Sequence, residues 1–214
     1  MGPNMGPGMW KGVRLHASLG VTLAGGLLLA GTVSSALLNF DEYLQRGEAA
    51  RVRGDWESVA NQFAQAINHP DLPKDGATRS AMHLEYGRAL GVICQYGEAE
   101  KYLLLAKDMS EKSGSSTFSA LYELGAFNVT RKNFPAAITY FSPLPPIIEK
   151  ESRAKRSPLL VADALEKFAV ALVATGKADE AESRRREAER IRETRPKPAP
   201  PGTITPYGAQ CPKS

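Results

Sequence analysis

The residues that could do chemistry are few and lie far apart along the chain. None of the three histidines, His16, His69 and His83, has a second histidine, cysteine or carboxylate at a spacing that would form a zinc site. Glu85 and Arg88 lie within one helical turn, where they can form a surface ion pair without an active site. The sequence also has no glycine-rich phosphate loop, no G-x-S-x-G motif and no CxxC motif. We therefore expect a protein that is not an enzyme, with no catalytic residue, no metal site and no cofactor.

The two cysteines leave several interpretations open. Cys94 falls within a predicted helix, where a cysteine is typical of a small buried filler. Cys211 lies in a proline-rich tail, where a free thiol, an intermolecular bridge or an anchoring point would each fit the sequence. Two cysteines in such different contexts do not define a disulfide framework.

The composition favours a helical protein and excludes a nucleic-acid-binding one. A chain of 214 residues has room for one sizeable domain with an anchor and a tail. Only 7% of the residues are aromatic, which suits helices packed through small residues better than a strand-rich sandwich. The net charge of +4 is mild, and no dense patch of Lys and Arg interleaved with aromatics is present.

An apolar run of 22 residues without a charge, residues 17–38, predicts a membrane anchor or a signal peptide. As a helix it would match the thickness of a bilayer core, roughly 30 Å at roughly 1.5 Å per residue. Lys11 and Arg14 precede it, which places the N-terminus in the cytoplasm and everything after Asp41 across the membrane. The alternative is a signal peptide cleaved near the small residues at 34–36. In either case the folded part is exported.

Apolar periodicity predicts helices in four consecutive pairs, each pair joined by a short polar turn. The predicted ranges are 41–52 with 56–67, 79–93 with 97–109, 118–130 with 134–141, and 158–174 with 178–192. Asp41 is the expected N-cap of the first helix. The prolines at 143–146 predict a truncated helix followed by an extended connector, and residues 150–156 predict a loop or helix end.

The same pattern of small residues recurs in all four pairs, about twelve residues from one helix to the next and then about four and three. The four sets are Gly47/Val59/Phe63/Ala66, Gly87/Ala99/Leu103/Ala106, Gly125/Ala137/Phe141/Leu144 and Ala169/Ala181/Arg185/Ala188. The positions that we expect to pack the helices together are Gly47, Phe63, Ala66, Gly87, Ala99, Ala106, Gly125, Ala137, Phe141, Ala169 and Ala181.

This pattern resembles the tetratricopeptide repeat family over residues 41–193. The resemblance implies an all-α fold, a right-handed superhelical solenoid of about four helix-turn-helix units, preceded by the transmembrane or signal helix. Val59 and Arg185 depart from the family pattern, and we expect Arg185 to face solvent as part of a polar cap. The units are spaced by 40, 38 and 44 residues, longer than the usual value of roughly 34.

In such a solenoid the first helix of each unit lines a groove, and the resemblance places Leu84, Arg88, Tyr122, Ala126 and Val129 there. We expect this groove to take an apolar or amphipathic helix, or an extended segment, of another protein. The chain's own tail or its N-terminal helix is an alternative occupant.

The sequence thus divides into a polar segment 1–16, the anchor or signal 17–38, a helical repeat domain 41–193 and an extended proline-rich tail 194–214. The tail is expected to be disordered, or to dock on a partner or on the repeats through its end, residues 207–212. We expect a membrane-anchored scaffold with its repeat domain outside the cytoplasm, in the periplasm of a bacterium, that assists assembly or stability of a cell-envelope complex through an unknown protein partner. The alternatives are a soluble exported protein that binds a peptide or small ligand, and a constitutive accessory subunit of a membrane machine.

Overall fold

The computed structural model describes residues 38–194 and 205–211, and within these residues all regular secondary structure is helical. The helices are α1 (Phe40–Arg53), α2 (Trp56–Ile67), α3 (Gly76–Val92), α4 (Tyr96–Ser113), α5 (Phe118–Thr130), α6 (Phe134–Phe141), α7 (Leu144–Lys150), α8 (Arg153–Arg156), α9 (Pro158–Ala174) and α10 (Ala178–Glu193). The predicted all-α class is therefore confirmed.

The predicted anchor or signal, 17–38, and the segment 1–16 lie outside the described residues except for Leu38. None of the helices in the described ranges combines the length and the apolar character needed to cross a membrane.

Four helix pairs, α1/α2, α3/α4, α5/α6 and α9/α10, share one type of turn. In each turn one residue has a left-handed backbone, and its amide and the next amide return to carbonyls in the last turn of the first helix. The four left-handed residues, with their φ angles, are Gly54 (73°), Cys94 (68°), Lys132 (57°) and Gly176 (80°). The four turns are therefore built alike, although glycine takes the left-handed position in only two of them.

Several predicted boundaries were wrong because local hydrogen bonds extend the helices. The N-cap of α1 is Asn39, which forms a capping box with Glu42, and Asp41 is already inside the helix. Helix α3 begins at Gly76, three residues early, because the side chain of Asp75 accepts a hydrogen bond from the amide of Thr78.

The expected extended connector at the prolines is also wrong, since residues Leu144–Lys150 form α7. Pro145 and Pro146 lie in its first turn, where the missing amide hydrogens have no helical acceptor to lose. Helix α8 follows within the segment that was predicted as a loop or helix end. Together α7 and α8 form an insertion between the third and fourth pairs, which accounts for the longest spacing between units.

The positions expected to pack the helices are all buried. Gly87 shows why they must be small, because a Cβ on it would lie 3.0 Å from the amide nitrogen of Leu103 and 3.1 Å from the carbonyl oxygen of Ala99. A Cβ on Gly125 would lie only 2.5 Å from the ring of Phe141. These distances are shorter than ordinary contacts between atoms, so the two helices of a pair approach as closely as glycine permits.

Successive pairs stack on one another. The first helices α3 and α5 are in contact, as are α5 and α9, and the second helix of each of the first three pairs contacts the first helix of the next pair. Arg185 on α10 is exposed, as predicted for the polar cap of the fourth unit.

Candidate binding site

The chain's own C-terminal residues occupy the face formed by α3 and α5. Residues 205–211, which we call the tail segment, fold as a turn over residues 207–210 against the C-terminal end of α3. Of the occupants considered for the groove, the structure thus places the tail on this face.

Tyr207 anchors the tail segment in a pocket between α3 and α5. Its side chain is buried, and its ring meets that of Phe127 edge to face with centroids 5.5 Å apart. Gly91 forms the floor, because a Cβ on this residue would overlap the Tyr207 ring. The hydroxyl of Tyr207 donates a 2.6 Å hydrogen bond to Oε2 of Glu123. Gly91 therefore leaves room for the tyrosine ring, Phe127 packs against that ring, and the Glu123 carboxylate accepts the hydrogen bond of the hydroxyl.

Backbone hydrogen bonds fix the tail segment on the end of α3. The amide of Gly208 donates to the carbonyl oxygen of Gly91, and the amide of Gln210 to that of Val92, each at 3.0 Å. Carbonyl groups in the last turn of a helix lack partners within the helix, so they are ready acceptors for an incoming segment. Gly208 is left-handed, with φ of 75°, and a Cβ on it would lie 2.6 Å from the hydroxyl oxygen of Tyr96. The pocket thus fits a tyrosine followed by glycine.

A disulfide between Cys94 and Cys211 closes the tail segment over the turn of the second pair, with Cα atoms 5.1 Å apart. The expectation of Cys94 as a buried filler within a helix is wrong, because Cys94 lies beyond the end of α3 and is only half-buried. Cys211 is exposed. Nε2 of Gln210 donates to the carbonyl oxygen of Gly54 at 2.7 Å, so the tail segment also reaches the turn of the first pair.

Glu123 and Arg88 set the electrostatics of the pocket. Nη1 of Arg88 lies 3.4 Å from Oε1 of Glu123, and the guanidinium lies over the ring of Trp56 at 5.3 Å. Burial acts to lower the pKa of Arg88, but the negative charges of Glu123 and Glu85 outweigh it and hold that pKa above its usual range. Arg88 therefore stays charged and keeps a buried carboxylate paired.

Tyr207 stays neutral in this setting. Burial is the largest cause that raises the pKa of its phenol well above the usual value, and the negative charge of Glu123 raises it further. A neutral phenol is the form that can donate to Glu123, so the protonation state and the hydrogen bond support each other.

Further polar side chains continue along the first helices on both sides of the pocket. On α9, Asp163 accepts a 2.6 Å hydrogen bond from the hydroxyl of Tyr122 and pairs with Lys167. On α1, Arg51 pairs with Glu48. Charged groups on α1, α3, α5 and α9 are therefore paired with one another, within a helix on α1 and α9 and between helices α3 and α5.

The predicted groove residues divide between the pocket and the core. Arg88 lies at the pocket, while Leu84 and Val129 are half-buried and pack against core clusters. Tyr122 and Ala126 are buried, so neither offers a free surface in this state.

Glu123 and Phe127 were not predicted as site residues, although they form the centre of the site with Tyr207. Each follows a predicted groove residue by one position, and one step along a helix turns a side chain away from the groove. The end of the tail, residues 207–212, was predicted to dock on a partner or on the repeats if it is not disordered, and Tyr207 lies against Gly91 and Phe127.

Within the described ranges no three His, Cys, Asp or Glu residues are grouped so that they could hold a metal ion. No protein-family model and no curated protein sequence matches the chain. The pocket itself is thus the basis for a functional assignment.

Proposed function

We propose that the protein is a non-enzymatic, protein-binding scaffold whose four helix pairs form a right-handed superhelical solenoid of tetratricopeptide-like units. The shared turn in all four pairs supports this arrangement, as do the buried small residues between helices and the contacts of α5 with α3 and α9. Folds of this kind present a continuous face of first helices to a ligand.

The docked tail segment is the observation that carries the binding role. In it the hydroxyl of a buried tyrosine donates to Glu123, and backbone amides donate to the end of α3. We infer that the scaffold binds a segment of another protein in which tyrosine is followed by glycine. Buried aromatic anchors of this type contribute much of the affinity in protein interfaces.

The proposed location is the outer side of a membrane, with residues 17–38 as the anchor. The Cys94–Cys211 disulfide supports export, since disulfides persist in oxidising compartments such as the periplasm. In that setting the scaffold assists assembly or stability of a cell-envelope complex. The mass of the mature protein tests the anchor, because loss of residues 1–36 would leave a soluble exported binding protein. Stoichiometric copurification in mild detergent would instead favour an accessory subunit of a larger machine.

A peptide titration tests the binding role. The full chain carrying Tyr207→Ala, Cys94→Ser and Cys211→Ser, which we call the open-pocket variant, is titrated in mild detergent with a fluorescein-labelled peptide of residues 205–214 that has serine at 211. We expect saturable binding, and a peptide with alanine at 207 should bind at least about tenfold more weakly. Absence of binding by an open-pocket variant that retains wild-type circular dichroism would refute the proposal.

A further inference from the structure

The tail segment is held in the pocket in two ways, by non-covalent contacts and by one covalent bond. The contacts are the buried ring of Tyr207, its hydrogen bond to Glu123, and the backbone and side-chain hydrogen bonds to the turns of the first two pairs. The covalent bond is the disulfide to Cys94. While it is intact, the tail segment can leave the pocket only briefly and over a short distance.

We propose that the Cys94–Cys211 disulfide is a redox latch on the binding pocket: it keeps the chain's own tail in place, and its reduction opens the pocket to a partner segment. This inference rests on the proposed binding function and names its regulation. The tail segment would compete with the partner, because it already binds the Glu123 carboxylate and the carbonyl groups at the end of α3 that the partner segment would use.

The positions of the two sulfur atoms suit such a latch. Cys211 is exposed and Cys94 is half-buried, so a reductant can reach the bond from the Cys211 side. The chain contains only these two cysteines, so reduction at this bond has no other disulfide in the protein to exchange with.

The reaction is an exchange with a dithiol reductant, either a dithiol oxidoreductase in the cell or dithiothreitol in the experiment. A thiolate of the reductant attacks Sγ of Cys211, the disulfide breaks, and Cys94 leaves as a thiolate that takes a proton from water. The second thiolate of the reductant then attacks its own sulfur in the mixed disulfide and frees Cys211. Two electrons pass from the reductant, which becomes a disulfide, to the protein, which becomes a dithiol.

Reduction allows a partner segment to compete with the tail segment for the pocket, while the helix pairs stay folded. The tail segment remains part of the same chain, so it competes as an intramolecular ligand with an effective concentration on the order of millimolar. A partner segment then displaces the tail when its concentration divided by its dissociation constant exceeds the effective concentration of the tail divided by the dissociation constant of the tail. With the disulfide intact, the tail is held at the pocket mouth by a bond that no partner concentration can break.

Hydrogen exchange and peptide binding on the same samples test the latch. The full chain in mild detergent is compared as oxidised protein, as protein reduced with dithiothreitol, and as the Cys94→Ser/Cys211→Ser variant. We expect the amides of Gly208 and Gln210 to exchange at least about tenfold faster in the last two samples than in the first. We also expect the labelled 205–214 peptide, with serine at 211, to bind those two samples at high peptide concentration, more weakly than it binds the open-pocket variant because their tail still competes, and to leave the oxidised protein unbound.

The open-pocket variant separates the possible failures. If it binds the peptide while reduced wild-type protein does not, and Gly208 and Gln210 stay protected after reduction, the latch is refuted and the binding function stands. If the open-pocket variant fails to bind as well, the binding function is refuted and the latch with it. If oxidised protein binds the peptide as well as reduced protein does, the disulfide does not control the pocket.

Discussion

The hydroxyl of Tyr207 donates a 2.6 Å hydrogen bond to Oε2 of Glu123, a residue 84 positions earlier in the chain. This contact joins the tail to the first helix of the third pair. Hydrogen bonds to Gly91 and Gly54 and the disulfide to Cys94 join the same tail to the second and first pairs. A tail segment of seven residues therefore ties together three of the four pairs, so changes within it affect both the pocket and the stability of the repeat domain.

Removal of the Tyr207 hydroxyl should destabilise the protein. Tyr207→Phe leaves Glu123 with one donor fewer in a buried setting, and a hydrogen bond to a charged group contributes about 1.5–3 kcal/mol. Tyr207→Ala also removes the ring from the pocket. We therefore expect the unfolding free energy to be highest for wild type, lower for Tyr207→Phe and lowest for Tyr207→Ala. Denaturant unfolding of the oxidised protein measures the series. As the matched control, Tyr140→Phe removes a half-buried hydroxyl that makes no hydrogen bond within the described ranges and should have little effect.

A methyl group on Gly91 should expel the tail without disturbing α3. The alanine Cβ would occupy the position of the Tyr207 ring, whereas helices accept alanine more readily than glycine, by about 1 kcal/mol. We expect Gly91→Ala to expose Tyr207 and to speed hydrogen exchange at the amide of Gln210. Gly97→Ala is the control, since a Cβ there meets no atom within 4 Å. Equal protection of the tail in both variants would contradict the packing described for the pocket.

Arg88 and Glu123 should be energetically coupled. Arg88→Met leaves the buried carboxylate of Glu123 without its cation, and removal of one partner from a buried pair costs about 3–5 kcal/mol. In a Glu123→Gln background the same arginine change should cost less, because the Glu85 carboxylate is then the acidic group near Arg88 that loses its cation. A double-mutant cycle of denaturant unfolding measures the coupling. Additive effects of the two substitutions would show that the pair contributes nothing beyond its separate side chains.

The stability contributed by Tyr207 should be lost at alkaline pH. Burial, and then the charge of Glu123, raise the pKa of Tyr207 in the folded protein above the value of about 10 in the unfolded chain. A raised pKa means that the contribution is fully present below about pH 10 and declines as pH rises toward the folded pKa. The unfolding free energy of wild type should therefore fall relative to Tyr207→Phe only above about pH 10. Ultraviolet absorbance of tyrosinate, measured as the difference between the two proteins, gives the pKa directly, and an ordinary value near 10 would contradict the buried position.

The helix pairs could be predicted from the sequence because their signals are local. Gly87 and Ala99 have counterparts at the matching positions of the other pairs, and this periodicity indicates which faces of the two helices pack together. The left-handed turn positions are less evident from the sequence, because Cys94 and Lys132 take the place that glycine holds in the first and fourth pairs. Pro145 and Pro146 were misread because proline is unfavourable inside a helix but well suited to its first turn.

The site could not be predicted because its contacts are non-local and do not repeat. The disulfide joins residues separated by 117 positions, and the hydrogen bond from Gln210 to Gly54 spans 156. No periodicity connects a single tyrosine in the tail with a glutamate in the middle of the chain. The anchor at 17–38 and the solenoid remain predictions.

The left-handed turn residues offer a test of the shared turn itself. Lys132 has φ of 57°, a conformation that costs a residue with a side chain roughly 1–2 kcal/mol and glycine very little. Lys132→Gly should therefore raise the unfolding free energy, and Gly176→Ala at the matching position of the fourth pair should lower it by a similar amount. A Cβ on Gly176 would meet no atom within 4 Å, so the effect of Gly176→Ala comes from the cost of the left-handed backbone and not from a steric clash. Denaturant unfolding measures both variants. A loss of stability in Lys132→Gly would mean that the exposed lysine side chain contributes more than the backbone costs, and the four turns would then differ in what stabilises them.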